Sequence, residues 1–180
     1  MSKLSSINIQ EQIALRIDQG ISQQLDDVVL KVRAISKKFK IEKIDERSPI
    51  KNVVTAATES ITSLEVIKNF IRYQAGRKNA SDIWKLKDPE NVNSLFADEV
   101  VNNLNSLANN CKAVLDVIEV NISKSLEAED ISELEIERLK ALEQYLQANK
   151  GMILHSTHLR LARLYLGYLS REHTALVKKD

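Results

Sequence analysis

Residues 152–178, MILHSTHLRLARLYLGYLSREHTALVK, decide the fold. Leu159, Ala162, Leu166, Leu169, His173 and Leu176 stand three and four apart in turn, the spacing that lines side chains along one side of an α-helix. Leu161, Leu164, Tyr165 and Tyr168 fill a second face, so most of the circumference is apolar. A helix of that kind belongs at the centre of a bundle, because neighbours must cover it on more than one side. Arg160, Arg163 and Arg171 occupy the remaining face, and Gly167 falls between them, where no side chain obstructs close approach.

The same period runs through the rest of the chain, and no stretch sustains the alternation of a strand. Ile13, Ile17, Leu25, Val28, Val32, Ile35 and Phe39 share one side of a first helical stretch, with a break expected at Gly20. A basic connector follows through Lys37, Lys38, Lys40, Lys43 and Arg47. Ser48-Pro49 and Asp88-Pro89 each pair a capping side chain with a proline that needs no donor, so each predicts a helix start. The first of these helices carries Val53, Val54, Ala57 and Ile61. Thr62 with Glu65, and Ser132 with Glu135, have the spacing of capping boxes. Stops are expected at Gly76 and Gly151, and Trp84 is expected exposed or half-buried in a loop. The helix after Pro89 should reach about Leu126, bent or divided by its five asparagines between 102 and 110.

These patterns predict an all-α bundle of five to seven helices with no sheet. The chain forms a single helical domain over 1–180, with amino-terminal helices and the basic connector in 1–48 and the main bundle in 49–180. Hydrophobic content of 43% against 28% charged is enough to build a core and argues against disorder. Cys111 stands alone, which fits a reducing cytoplasmic setting and a small core residue. The opening MSKLSSINIQEQ lacks the apolar run of a signal peptide, and no stretch reaches the ~18 apolar residues of a membrane span.

Charge is the second signal. The total is +1, but residues 31–87 carry 14 basic and 6 acidic side chains, residues 88–149 carry 4 and 13, and residues 150–180 carry 6 and 2. Two basic stretches around an acidic one suit a polyanion on one surface and a protein neighbour on another. Within KNFIRYQAGR, Lys68 and Arg72 share a helical face with Tyr73 and Arg77 nearby. Cations interleaved with an aromatic serve single-stranded nucleic acid, charge for the backbone and a ring for a base. The same cations also suit an ordinary solvated helix end. Arg160, Arg163 and Arg171 can grip phosphate through paired hydrogen bonds, or pair with carboxylates inside the bundle.

No catalytic motif accompanies these features. His155 and His158 stand three apart without further ligands at metal-site spacing, and Cys111 has no base at a recognisable interval. The expectation is therefore a protein that is not an enzyme and needs no metal or cofactor.

IKNFIRYQAGR at residues 67–77, Trp84 soon after, and FADEVVNNLNSLA from Phe96 resemble the helical small subunits of CRISPR surveillance complexes. The likeness is to the small subunit of the type I-D Cascade, made from the carboxy-terminal part of the large-subunit reading frame, and covers about residues 50–176. It implies a non-enzymatic scaffold, present in more than one copy, that packs on the backbone and large subunits and steadies guide RNA and opened target DNA. Lys68, Arg72, Arg77, Arg160, Arg163 and Arg171 would then contact the nucleic-acid backbone. The competing expectation is a protein-only helical adaptor or assembly module with no nucleic-acid contact.

Overall fold

The computed structural model describes residues 3–58 and 63–177, with side chains from residue 8 onward. Among them lie six α-helices: α1 (Lys3–Phe39), α2 (Lys51–Thr58), α3 (Leu64–Gly76), α4 (Phe96–Leu126), α5 (Glu133–Ala148) and α6 (Lys150–Val177). Two short 3-10 helices, Ile41–Lys43 and Asp82–Lys85, join α1 to α2 and α3 to α4. The described residues form no strand, only an isolated antiparallel bridge between Lys87 and Leu95. The protein is all-α, as the periodicity predicts. Among the described residues, no helix is long and apolar enough to cross a membrane.

The chain falls into two compact units. One comprises residues 1–25 and 108–158, the other residues 26–107 and 159–180. In the first, Ile13 and Ile21 of α1, Val114, Leu115 and Ile118 of α4, and Leu139, Leu142 and Leu146 of α5 are buried. Gly20 does not break α1, which runs unbroken past it. Its role is steric: a Cβ at Gly20 would lie 2.7 Å from Val114 Cγ1. The missing side chain lets α1 and α4 approach closely.

Ser132 caps α5 by accepting from the Glu135 amide at 3.3 Å, as its spacing predicts. The expected stop at Gly151 is displaced. Helix α5 ends at Ala148, Asn149 closes it through its own amide groups to the Tyr145 carbonyl, and Gly151 lies inside α6.

The second unit is built around aromatic rings. Trp84 is only 1% exposed. Its ring stands 5.7 Å from that of Phe96, which meets Phe39 edge-on at 5.3 Å. The expected loop with a half-buried tryptophan is therefore a 3-10 turn whose tryptophan is core. Leu161, Ala162, Tyr165, Leu166 and Leu169 of α6 are buried in the same unit, so two faces of that helix are covered.

Asp88-Pro89 does not start α4. The Asp88 carboxylate accepts from the Glu90 amide at 2.9 Å and pairs with Lys38 at 2.7 Å, making a turn rather than a cap. The chain then returns through bonds from the Asp88 amide to Ser94 and from the Phe96 amide to Leu86. Asp98 accepts from the Leu95 amide at 2.9 Å and completes the start of α4 at Phe96. The asparagine-rich stretch leaves α4 continuous. Ser48, at φ 57°, is left-handed and cannot act as an extended N-cap, so α2 opens later, at Lys51. Ser63 caps α3 through the Val66 amide; Thr62 and Ile61 lie outside the described residues.

Two outcomes follow for stability. Gly20→Ala adds about 1 kcal/mol of helix propensity but forces a methyl into a contact whose overpacking costs about 1–3 kcal/mol. It should therefore lower stability in urea unfolding, and Val114→Ala should reverse the sign of the effect; simple additivity of the two changes would refute the close approach.

The Lys38 hydrogen bond, then the Glu90 amide, hold Asp88 below its ordinary value of 3.8. That contribution is complete above the ordinary value and disappears as pH falls through the depressed native one. The same bond raises Lys38 above 10.5, so its contribution is complete below 10.5 and disappears as pH rises through the raised value. Asp88→Asn should flatten the acid limb of a stability–pH curve while leaving the carboxylates elsewhere to titrate. An unchanged acid limb would sink the assignment.

Candidate nucleic-acid interface

The two units differ in net charge. The unit of residues 26–107 and 159–180 holds 19 basic and 14 acidic residues, net +5; the other holds 7 and 11, net −4. All six cations singled out from the sequence, Lys68, Arg72, Arg77, Arg160, Arg163 and Arg171, belong to the positive unit.

They are not equivalent there. Lys68 is 8% exposed. Its ammonium donates to Asn105 Oδ1 on α4 at 2.9 Å and pairs with Glu65 one helical turn earlier. A buried ammonium needs such partners, and they use the charge internally. Arg163 is half-buried and donates from Nε to the Ala57 carbonyl at 2.8 Å. That carbonyl lies in the last turn of α2, where no amide of the helix reaches it, so Arg163 acts as a helix cap.

Arg72 and Arg160 are exposed, and so is Arg171, whose guanidinium lies 5.6 Å from the Tyr168 ring. Arg77 is half-buried just past α3; it donates to the Asn79 carbonyl at 3.2 Å and stands 5.9 Å from the Tyr73 ring. The structure thus sorts the set into two internal cations, three exposed ones and one that braces an aromatic. Spacing shows which residues share a face, but not that Asn105 and the end of α2 supply partners from distant segments.

In the connector, Lys38 is engaged by Asp88, while Lys37, Lys40 and Lys43 are exposed. Lys40 takes a left-handed conformation at φ 51° and ends α1, a task more often given to glycine. Cys111 is buried, and desolvation pushes its thiol up to about 12, so it stays protonated and packs as a small apolar group. His155 is exposed and His158 half-buried; no group of three histidine, cysteine or carboxylate side chains suited to a metal occurs among the described residues.

Near the end of α6, His173 is buried. Its Nε2 lies 2.9 Å from the Ile44 carbonyl, which only accepts, so that nitrogen carries the proton. His173 therefore ties α6 to the segment after the first 3-10 helix.

No protein-family model matches the chain, and no curated protein or solved structure matches it.

The two kinds of arginine separate in a stability measurement. Arg163→Ala leaves the Ala57 carbonyl short of a charged donor and should cost about 1–3 kcal/mol. Arg72→Ala, on the solvent side of α3, should stay within about 0.5 kcal/mol. Equal losses in chemical denaturation would contradict the sorting.

Proposed function

We propose that the chain is a non-catalytic small subunit of a CRISPR RNA-guided surveillance complex that steadies guide RNA and target DNA through basic helical surfaces. The observation that carries this reading is the net +5 unit, in which Arg72 on α3 and Arg160 and Arg171 on α6 are exposed. Guanidinium groups on rigid helices suit the phosphate backbone, because their planar forks pair with phosphate oxygens at little entropic cost. Backbone contacts of this kind carry no sequence information, which suits a subunit that must hold whatever sequence the guide selects. The net −4 unit is assigned to packing against backbone and large subunits, in a cytoplasmic assembly with more than one copy of the chain.

The alternative, a protein-only helical adaptor, draws on the inward engagement of Lys68 and Arg163. These two cations leave the set of phosphate contacts, which reduces it to Arg72, Arg160 and Arg171 with Arg77 beside them.

Binding of labelled single strands, followed by fluorescence anisotropy, tests the choice. Three exposed arginines predict weak, sequence-independent binding with a log–log salt slope of about −2, at about −0.7 per phosphate. Arg72→Glu and Arg171→Glu should each weaken binding to every sequence with helical content intact. Binding that ignores salt and both reversals would favour the adaptor.

A further inference from the structure

The solvent face of α3 carries more than charge. Asn69, Arg72, Tyr73 and Gly76 are exposed along it, and Glu65, the acid at its start, is neutralised by Lys68. Tyr73 is 55% exposed, a large fraction for an aromatic ring. Its neighbours hold it in place. Phe70, one turn earlier, lies 6.1 Å away with the rings tilted at 37°, and Arg77, one turn later, stands 5.9 Å from the ring centroid. Arg77 is itself fixed, because it donates to the Asn79 carbonyl at 3.2 Å.

A ring in contact on two sides and open to water elsewhere has fewer free rotamers left to lose. A flat partner laid against it therefore costs little further order. Tyr168 on α6 also has an arginine beside it, but that ring is half-buried and offers less free surface.

We propose that Tyr73, braced by Phe70 and Arg77, is a stacking platform for an unpaired base of a single-stranded nucleic acid, with Arg72 taking the adjacent phosphate. This rests on the nucleic-acid reading above and adds the recognition of bases to the recognition of backbone. The chemistry distinguishes single strands from duplexes: a paired base has both faces covered by its neighbours, whereas an unpaired one presents a π-face to the ring. The platform is indifferent to sequence, since every base has such a face. Lys68 stays out of the platform, because its ammonium is engaged by Asn105 Oδ1 and Glu65.

The test compares the intact protein and its Tyr73→Ala, Tyr73→Phe and Arg72→Glu variants on labelled oligo(dT) and on an abasic strand of the same length. Anisotropy at low salt and sedimentation without nucleic acid are the two readouts. Tyr73→Ala should weaken oligo(dT) binding by roughly 5- to 150-fold, the range for one stacked base, while Tyr73→Phe binds as wild type. On the abasic strand, Tyr73→Ala and wild type should bind alike, and Arg72→Glu should weaken both strands.

Tyr73→Ala indistinguishable from wild type on oligo(dT), with Arg72→Glu still impaired, would overturn the platform and leave the backbone reading standing. Equal weakening of Tyr73→Ala on both strands would also overturn it, placing the ring's effect on the fold or the backbone. Loss of self-association in Tyr73→Ala with oligonucleotide binding intact would make this face a protein interface. Should Tyr73→Ala fail to fold, wild type binding oligo(dT) no better than the abasic strand is sufficient to refute stacking. No binding by wild type at all would remove both readings together.

Discussion

The burial of Trp84 against Phe96 is the constraint on which the basic unit depends. The segment from Arg77 to Leu95 has the polar composition of an ordinary surface loop. With the indole inside, however, the 3-10 turn at Asp82–Lys85 is held in the core, and Phe96 can begin α4 only where its ring meets both Trp84 and Phe39. Large aromatic surfaces gain more from leaving water than any single exposed contact provides. The remaining polar groups of the loop must then find partners, and they do so locally. Asp88 turns the chain through the Glu90 amide and takes Lys38 as counter-ion, while Glu46 accepts the Asp82 amide. Position and orientation at the end of α3 follow from that packing.

The same logic sorts the cations. A lysine or arginine whose stem is drawn under neighbouring helices must bring its charge to an acceptor, because unpartnered burial costs more than any helix gains from covering it. Lys68 meets this demand with Asn105 and Glu65, and Arg163 with the last turn of α2. These cations stabilise the bundle and are consumed by it. Arg72 and Arg171 escape that requirement because their helices turn those positions to solvent, and Arg160 is exposed as well. Net charge per unit describes the field a polyanion would meet at a distance; the list of exposed side chains describes what it would touch. The two differ here by a third of the set proposed from sequence.

Much of the fold was legible in the chain because helices are written in short-range code. The three-and-four spacing of α6, the Ser132 cap, the end of α3 at Gly76 and the end of α4 at Leu126 all involve residues within one turn of each other, and all are found. The misread positions share a different cause. Gly20 has low helix propensity, but the space it vacates is filled by Val114, so packing outweighs the local preference. Asp88-Pro89 satisfies the local rule for a helix start, yet Lys38 claims its carboxylate and makes it a turn. Gly151 has the residue type of a helix stop, but Asn149 closes α5 two residues earlier and the next helix absorbs the glycine.

The sequence by itself determined that this protein is helical, where most of its helices lie, and that its basic residues cluster. Propensity, capping and periodicity act over three or four residues, and a linear chain displays that range in full. Only the tertiary structure decided that Trp84 is core, that Gly20 is a contact point, and that Lys68 and Arg163 face inward while Tyr73 faces out. Each of those outcomes depends on a partner well beyond one helical turn in sequence, or on which side of a helix its neighbours cover. Burial and pairing are properties of the assembled core, and no local signal carries them.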